Sequence, residues 1–199
     1  STLHSAYFAV GCGPGDEVIV PAYTFFASTT PILQCGATPV FCDVDEKTIV
    51  ADPDHVERLI TPRTKAICVV HVWGNPAKMD AFLDIARRHK VALIEDCSHA
   101  PGARYGGRPV GAWGDIGCFS LQGAKAVSGG ECGIATTDNP VFYDRMLALG
   151  HNGRTGKQQK ADTFEALDNI SFGLKYRPHV YGILLASGGL DRLPKLNEL

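Results

Sequence analysis

What limits this chain most is the way short, β-branched apolar runs alternate with stretches of helical periodicity. EVIVP (Glu17–Pro21), TPVFCDV (Thr38–Val44), AICVVHV (Ala66–Val72) and VALIED (Val91–Asp96) are brief and continuously apolar, the pattern of strands covered on both faces. Between them lie helix signals. Asp52-Pro53 pairs a capping side chain with proline at a first helical position, and Val56, Leu59 and Ile60 repeat behind it. Met79, Phe82, Leu83 and Ala86 share one face, with Arg87, Arg88 and Lys90 at that helix's negative end. Strands separated by helices require crossover connections. The expectation is therefore an α/β fold, a mainly parallel sheet with helices on both faces. Gly117–Leu121 and Cys132–Thr137 read as two further strands joined by a glycine-rich loop. Asn139-Pro140 opens a helix with Phe142, Met146 and Leu149 on one side, stopped at Gly150.

Beyond this the pattern changes. Residues 155–170 dissolve into polar residues and read as a long exposed excursion. Tyr181–Leu199 has a helical pattern, with interruptions expected at Gly188-Gly189 and Pro194. Both ends read as cut: Leu3, Tyr7 and Phe8 already belong to a helix, and another is still running at Leu199. A net charge of −2 without a basic stripe gives no pull toward nucleic acid or anionic membrane. No apolar run is long enough to span a bilayer, and no secretory leader is visible, so the expected location is cytoplasmic. Seven cysteines contain no C-x-x-C pair and sit mostly in apolar runs, which predicts buried, reduced thiols and no metal site.

Two segments carry chemistry. Asp96 closes the apolar strand VALIED, followed by Cys97-Ser98-His99, at the carboxyl end of a strand where open α/β sheets bind ligands. A carboxylate there either caps the turn that follows or meets something cationic or rich in donors. Lys125, in FSLQGAKAVSGGECG, is the only basic residue between Arg108 and Arg145. Among small and apolar neighbours a lysine can lose its proton and act as an imine-forming amine; otherwise it is a solvated loop lysine.

GDEVIVPAYTFFAS, GATPVFCDVD, HVWGNPAKMDA, IEDCSHAPGARYGGRPVG and FSLQGAKAVSGGECG, in that order, resemble the DegT/StrS sugar-aminotransferase family of fold-type-I pyridoxal-phosphate enzymes. The likeness runs from Gly13 to about Arg154. It implies a large domain like that of aspartate aminotransferase, with pyridoxal 5'-phosphate as cofactor and Lys125 as its Schiff-base lysine and proton shuttle. Asp96 would pair with the pyridinium nitrogen. His99 would lie against the ring near its phenolic oxygen, Phe25 would stack on the ring face with Phe26 in the core, and Ser120 would donate to the phosphate. Gln122 is expected in the core or just behind the site. His71, Trp73, Glu131, His151, Asn152 and Arg154 are candidates for approaching it.

The implied reaction moves an amino group from glutamate or glutamine to a keto sugar or similar polyol, in a homodimer with shared active sites. A homologue that binds the cofactor or a nucleotide sugar as a regulator is the alternative, but it would have no need of an imine-forming amine. Relatives with histidine in place of the lysine are sugar dehydratases, and Lys125 stands against that branch. Two departures from the family pattern stand out. The Gly-Thr phosphate contact expected just before Ser1 is absent, and Lys175 replaces the asparagine of the Gly-x-Asn-x-Arg segment that reaches the neighbouring subunit's phosphate. Residues 1–175 would form the large domain, truncated at its start, and 176–199 would begin a small C-terminal domain, leaving residues 1–199 weakly active or inactive alone.

Overall fold

The computed structural model of the chain describes residues 1–151 and 173–198; the polar excursion at 155–170, Asn152 and Arg154 lie outside them. Strands β1 (Glu17–Pro21), β2 (Thr38–Cys42), β3 (Thr64–Val70), β4 (Ala92–Asp96), β7 (Ile116–Ser120) and β8 (Gly133–Thr136) form one six-stranded sheet in the order β2-β1-β3-β4-β7-β8. All neighbours are parallel except β7 and β8, which pair antiparallel across the glycine-rich loop. A separate two-stranded hairpin, β5 (Arg104–Tyr105) and β6 (Arg108–Pro109), was not visible in the sequence pattern.

Side chains alternate across the sheet and meet a helical layer on each face. Val18, Val20, Cys68, Ile94 and Cys118 pack with helix α1 (Thr2–Ala9), helix α2 (Thr30–Gln34) and the half-buried Phe142 and Met146 of α5 (Pro140–Gly150). Ile19, Ile67, Val69 and Leu93 face the other way, onto α3 (Pro53–Leu59) and α4 (Met79–His89). In α4, Met79, Phe82 and Ile85 are buried, and each side chain contributes about 1.5–3 kcal/mol by leaving water.

The helix ends follow their local chemistry. Asp52 accepts the Asp54 amide at the start of α3, and Asn139 accepts those of Val141 and Phe142 at the start of α5. Lys90 ends α4 in the left-handed conformation. In the last turn of α4 Arg88 pairs with Asp84 and Glu57.

Some expectations need correction. β2 is an edge strand with Phe41 52% exposed, so its apolar run is not covered on both faces. β3 stops at Val70, and the next residues turn into a short 3₁₀ segment, Val72–Gly74. Helix α6 (Val180–Leu196) runs without interruption through Gly188-Gly189 and Pro194. Its buried positions are Gly182, Ala186, Gly189 and Leu193, so the glycine at 189 serves close packing. Among the described residues no helix is long and apolar enough to cross a membrane. All seven cysteines are free thiols.

Candidate functional site

Because β1, β3, β4 and β7 are parallel, their carboxyl ends lie along one edge of the sheet. The chain winds outward from β1 to β2, then returns to place β3 on β1's other side, and a crevice opens where the direction reverses. A cleft of about 900 Å³ lies there. Phe25 (after β1), Asp96 (the end of β4), His99, Ser120 (the end of β7) and Lys125 all line it. The first residues of α1 line it too, with Ser1 at the cap position and no side chain closing the helix end. The first intrahelical bond runs from the Ser5 amide to the Ser1 carbonyl, so the amides before it are open to an anion.

Asp96 is 4% exposed. Its Oδ1 accepts the Ser98 amide at 3.0 Å and its Oδ2 accepts the Ser28 hydroxyl at 2.7 Å. Both sequence alternatives therefore meet at one group: the carboxylate closes the following turn and also faces the cleft. Among the described residues no cation is paired with it. Lys125 stands half-buried in its loop, and its ammonium has no hydrogen-bond or ion-pair partner among the described residues. The loop is shaped by backbone bonds, Lys125 N–H to the Gln122 carbonyl and Gly129 N–H to the Leu121 carbonyl.

His99 lies in a turn, exposed at the cleft wall. Partial burial and then the Lys125 charge hold its imidazole below the ordinary value, against the opposing pull of Asp96. Its electrostatics thus register both ends of the site, and the neutral ring can accept or donate a hydrogen bond at neutral pH. Ser120 Oγ accepts the Gln122 amide at 3.4 Å and keeps its own proton free to donate.

Phe25 is 61% exposed and Phe26, its tilted neighbour at a centroid distance of 4.2 Å, is 67% exposed. Phe26 is therefore not a core residue: the 3₁₀ turn Phe26–Ser28 carries it to the surface and buries Ser28 instead. Gln122 is likewise exposed on the cleft, its carboxamide oxygen accepting the Ala124 amide. Trp73 and Glu131 line the cleft, whereas His151 follows α5 and is absent from its lining. Lys175 is exposed, left-handed at φ 58°, and outside the cleft of its own chain.

His71 sits behind the cleft, fully buried. Its Nδ1 accepts the Ala77 amide at 3.0 Å, so Nε2 carries the proton and donates to Glu95 Oε2 at 3.0 Å. Glu95 also accepts the amides of Gly111, Trp113 and Gly114, each at 2.7 Å. Burial pushes the Glu95 carboxyl upward, but the His71 bond and these amides outweigh it and hold the group below its ordinary value. Cys97 completes a cluster whose ligand atoms lie within 4.8 Å of one another. This cluster does not suit a metal, because the imidazole and carboxylate lone pairs are already taken and burial keeps the thiol protonated. Glu95 is a structural anchor that ties the 111–114 loop to the strand bearing Asp96.

Sequence reasoning missed Ser28, Thr24 and Tyr23. The signal available was a pair of hydroxyls four residues apart after a strand end. The partner that gives them meaning, Asp96, is 68 residues from Ser28.

The cleft can be tested against pyridoxal 5'-phosphate. It offers an acid for a ring nitrogen, a primary amine without a partner among the described residues for an aldehyde, an aromatic face, and a hydroxyl beside the first turn of a helix for a phosphate; these groups fit. Known aminotransferases resemble the chain. The chain is 46% identical over 153 residues to GDP-perosamine synthase of Caulobacter vibrioides, covering 77% of this chain and 41% of that protein. It is 47% identical over 159 residues to L-glutamine:scyllo-inosose aminotransferase of Streptomyces griseus, covering 80% and 38%. The PLP form of a Streptococcus pneumoniae protein described as a sugar aminotransferase superposes with a TM-score of 0.85 at 30% identity, over 98% of this chain and 53% of that one. The chain thus spans about two fifths of the length of the curated relatives it matches. With a family profile matching residues 1–199, over the fold and cleft just described, the chain belongs to the DegT/DnrJ/EryC1/StrS aminotransferase family.

Proposed function

We propose that the protein to which this chain belongs is a pyridoxal-phosphate-dependent aminotransferase that moves an amino group from glutamate or glutamine onto a keto sugar or cyclitol. One observation carries this reading: a loop lysine whose amine has no partner among the described residues and a buried carboxylate at a strand end share one cleft with an exposed aromatic ring. When bound, the cofactor supplies an aldehyde that condenses with amines and a ring that takes up the electron pair freed at the substrate carbon.

The chain's residues do the rest. Lys125 supplies the primary amine that anchors the cofactor and, once displaced by substrate, moves the proton on and off the reacting carbon. Asp96 holds the ring nitrogen's proton in place, which makes the ring a better electron acceptor. Phe25 covers one ring face. His99 stands against the ring from the turn after Asp96. Ser120 and the open amides of α1 bind the phosphate. Amino donor and keto acceptor use the same cleft in turn, which gives ping-pong kinetics.

Residues 1–175 form the cofactor-binding domain in this reading, and 176–199 lead toward a smaller one. The enzyme works in the cytoplasm as a homodimer, making amino sugars for polysaccharides or antibiotics. The exposed Lys175 supports shared sites: lying outside its own cleft, it can serve a phosphate as a point charge only in a second subunit.

The test uses the full-length protein. Purified enzyme should show the absorbance of an imine-bound cofactor, and borohydride should fix that label to the peptide containing Lys125. A protein reconstituted with pyridoxal phosphate that yields no such peptide overturns the assignment.

A further inference from the structure

Behind Asp96 lies a second layer of hydroxyls. Ser28 is 1% exposed, and its Oγ stands 2.7 Å from Asp96 Oδ2 and 2.7 Å from Thr24 Oγ1. A carboxylate can only accept, so the single Ser28 proton goes to Asp96, and Thr24 must then donate to Ser28. The chain of donors runs one way, from Thr24 through Ser28 to the acid. Oδ1 is held by the Ser98 amide, so each carboxylate oxygen has its own donor and rotation about the side chain is blocked.

Ser28 is itself fixed from two sides. Its carbonyl accepts the hydroxyl of the fully buried Tyr7 at 2.8 Å, and its amide donates to the Phe25 carbonyl at 3.0 Å. The same 3₁₀ turn therefore presents Phe25 to the cleft and Ser28 to Asp96.

We propose that Ser28, backed by Thr24, is the positioning residue for Asp96, locking the acid's orientation and joining the Phe25 turn to β4 as one unit. The two contacts assigned to the ring, at its nitrogen and on its face, then keep a fixed spacing with or without ligand. This rests on the cofactor assignment made above. It goes beyond that assignment by naming two hydroxyls at the cleft wall that act through Asp96.

The experiment compares full-length wild type with S28A, S28T, T24V and the benchmark D96N, each stripped of cofactor and reconstituted with pyridoxal phosphate. Three readouts are taken: the cofactor dissociation constant, the pH titration of the bound cofactor's absorbance, and the melting temperature. A bond to a charged group is at stake, so S28A should weaken cofactor binding roughly tenfold or more. It should also move the absorbance titration toward that of D96N. S28T, which keeps the hydroxyl, should restore both, and T24V should shift them in the same direction by less. If S28A lowers only the melting temperature while binding and titration match wild type, the serine merely fills space and the proposal fails. Should S28A not fold, S28C keeps the volume and weakens the donor, and a wild-type titration from that variant is equally fatal. Failure of wild type itself to form a borohydride-trapped adduct at Lys125 is a different result, and it removes the cofactor reading on which the proposal stands.

Discussion

At the residue scale, the site separates groups by what holds them. Asp96 is buried and doubly hydrogen-bonded, Lys125 is half-buried with no partner among the described residues, and Phe25 is exposed, so substitutions at the three should fail differently. Asn in place of Asp96 can still accept the Ser98 amide through its oxygen, so the fold should survive. What is lost is a fixed charge aimed at the reacting system, and turnover of the holoenzyme should fall by on the order of a hundredfold or more. Rapid-mix kinetics of the donor half-reaction, beside an unchanged circular dichroism spectrum, would check this. Phe25→Ala should behave in the opposite way. With so little of the ring packed against protein, stability should change by less than about 0.5 kcal/mol. Loss of an aromatic contact should weaken cofactor binding by a few-fold, on the order of 1 kcal/mol, measured by fluorescence titration of the apoenzyme.

At the scale of elements, the Lys125 loop is held from behind by α6. Leu121 and Val127 of the loop form one apolar cluster with Ala186 and Leu193 of the helix. The approach is close enough that backbones nearly touch: a Cβ built on Gly129 would come within 2.6 Å of the Gly182 carbonyl, and one on Gly182 would collide with the Gly129 carbonyl. Gly182→Ala cannot be absorbed by rotating a side chain, since the obstacle is main chain. It should destabilise the protein by about 1–3 kcal/mol, read from denaturant unfolding. The helix would have to lift, so the yield of borohydride labelling at Lys125 should drop as well. Gly188→Ala is the matched control: its nearest neighbour is the tip of the Arg192 side chain at 3.8 Å, and labelling there should stay at the wild-type level.

For the whole molecule, the buried His71–Glu95 pair couples β3, β4 and the 111–114 loop, and it makes stability depend on acid in a definite direction. The Glu95 carboxyl lies below its ordinary value of 4.5 in the folded protein. Between those two values the unfolded chain binds the proton more readily, so the group stabilises the fold fully above about pH 4.5 and loses that contribution as pH falls through the folded value. Glu95→Gln should be less stable at pH 7 by roughly 3 kcal/mol, because its amide end would face the Gly111 and His71 donors. The gap between variant and wild type should narrow as unfolding is followed from pH 5 to pH 3. A gap that stays constant over that range would show that Glu95 does not supply the acid sensitivity.

What could be read from the sequence alone was whatever depends on neighbours along the chain. The period of the apolar runs determined an α/β sheet, because strand and helix differ in repeat. Capping pairs such as Asp52-Pro53 and Asn139-Pro140 marked where helices begin. Lys125 and Asp96 stood out because each is a charge in apolar or glycine-rich surroundings. Tertiary structure decided the rest. Phe26 lies outside the core because a 3₁₀ turn reverses which side chain points inward, and β2 is an edge because of the order in which strands pair. Gly189 is a packing position rather than a break because a Cβ there would crowd Val127 at 3.2 Å. Ser28 acquired its partner only when two strand ends met. These outcomes depend on contacts between residues far apart in the chain, and no local pattern of residue types encodes which distant surfaces will touch.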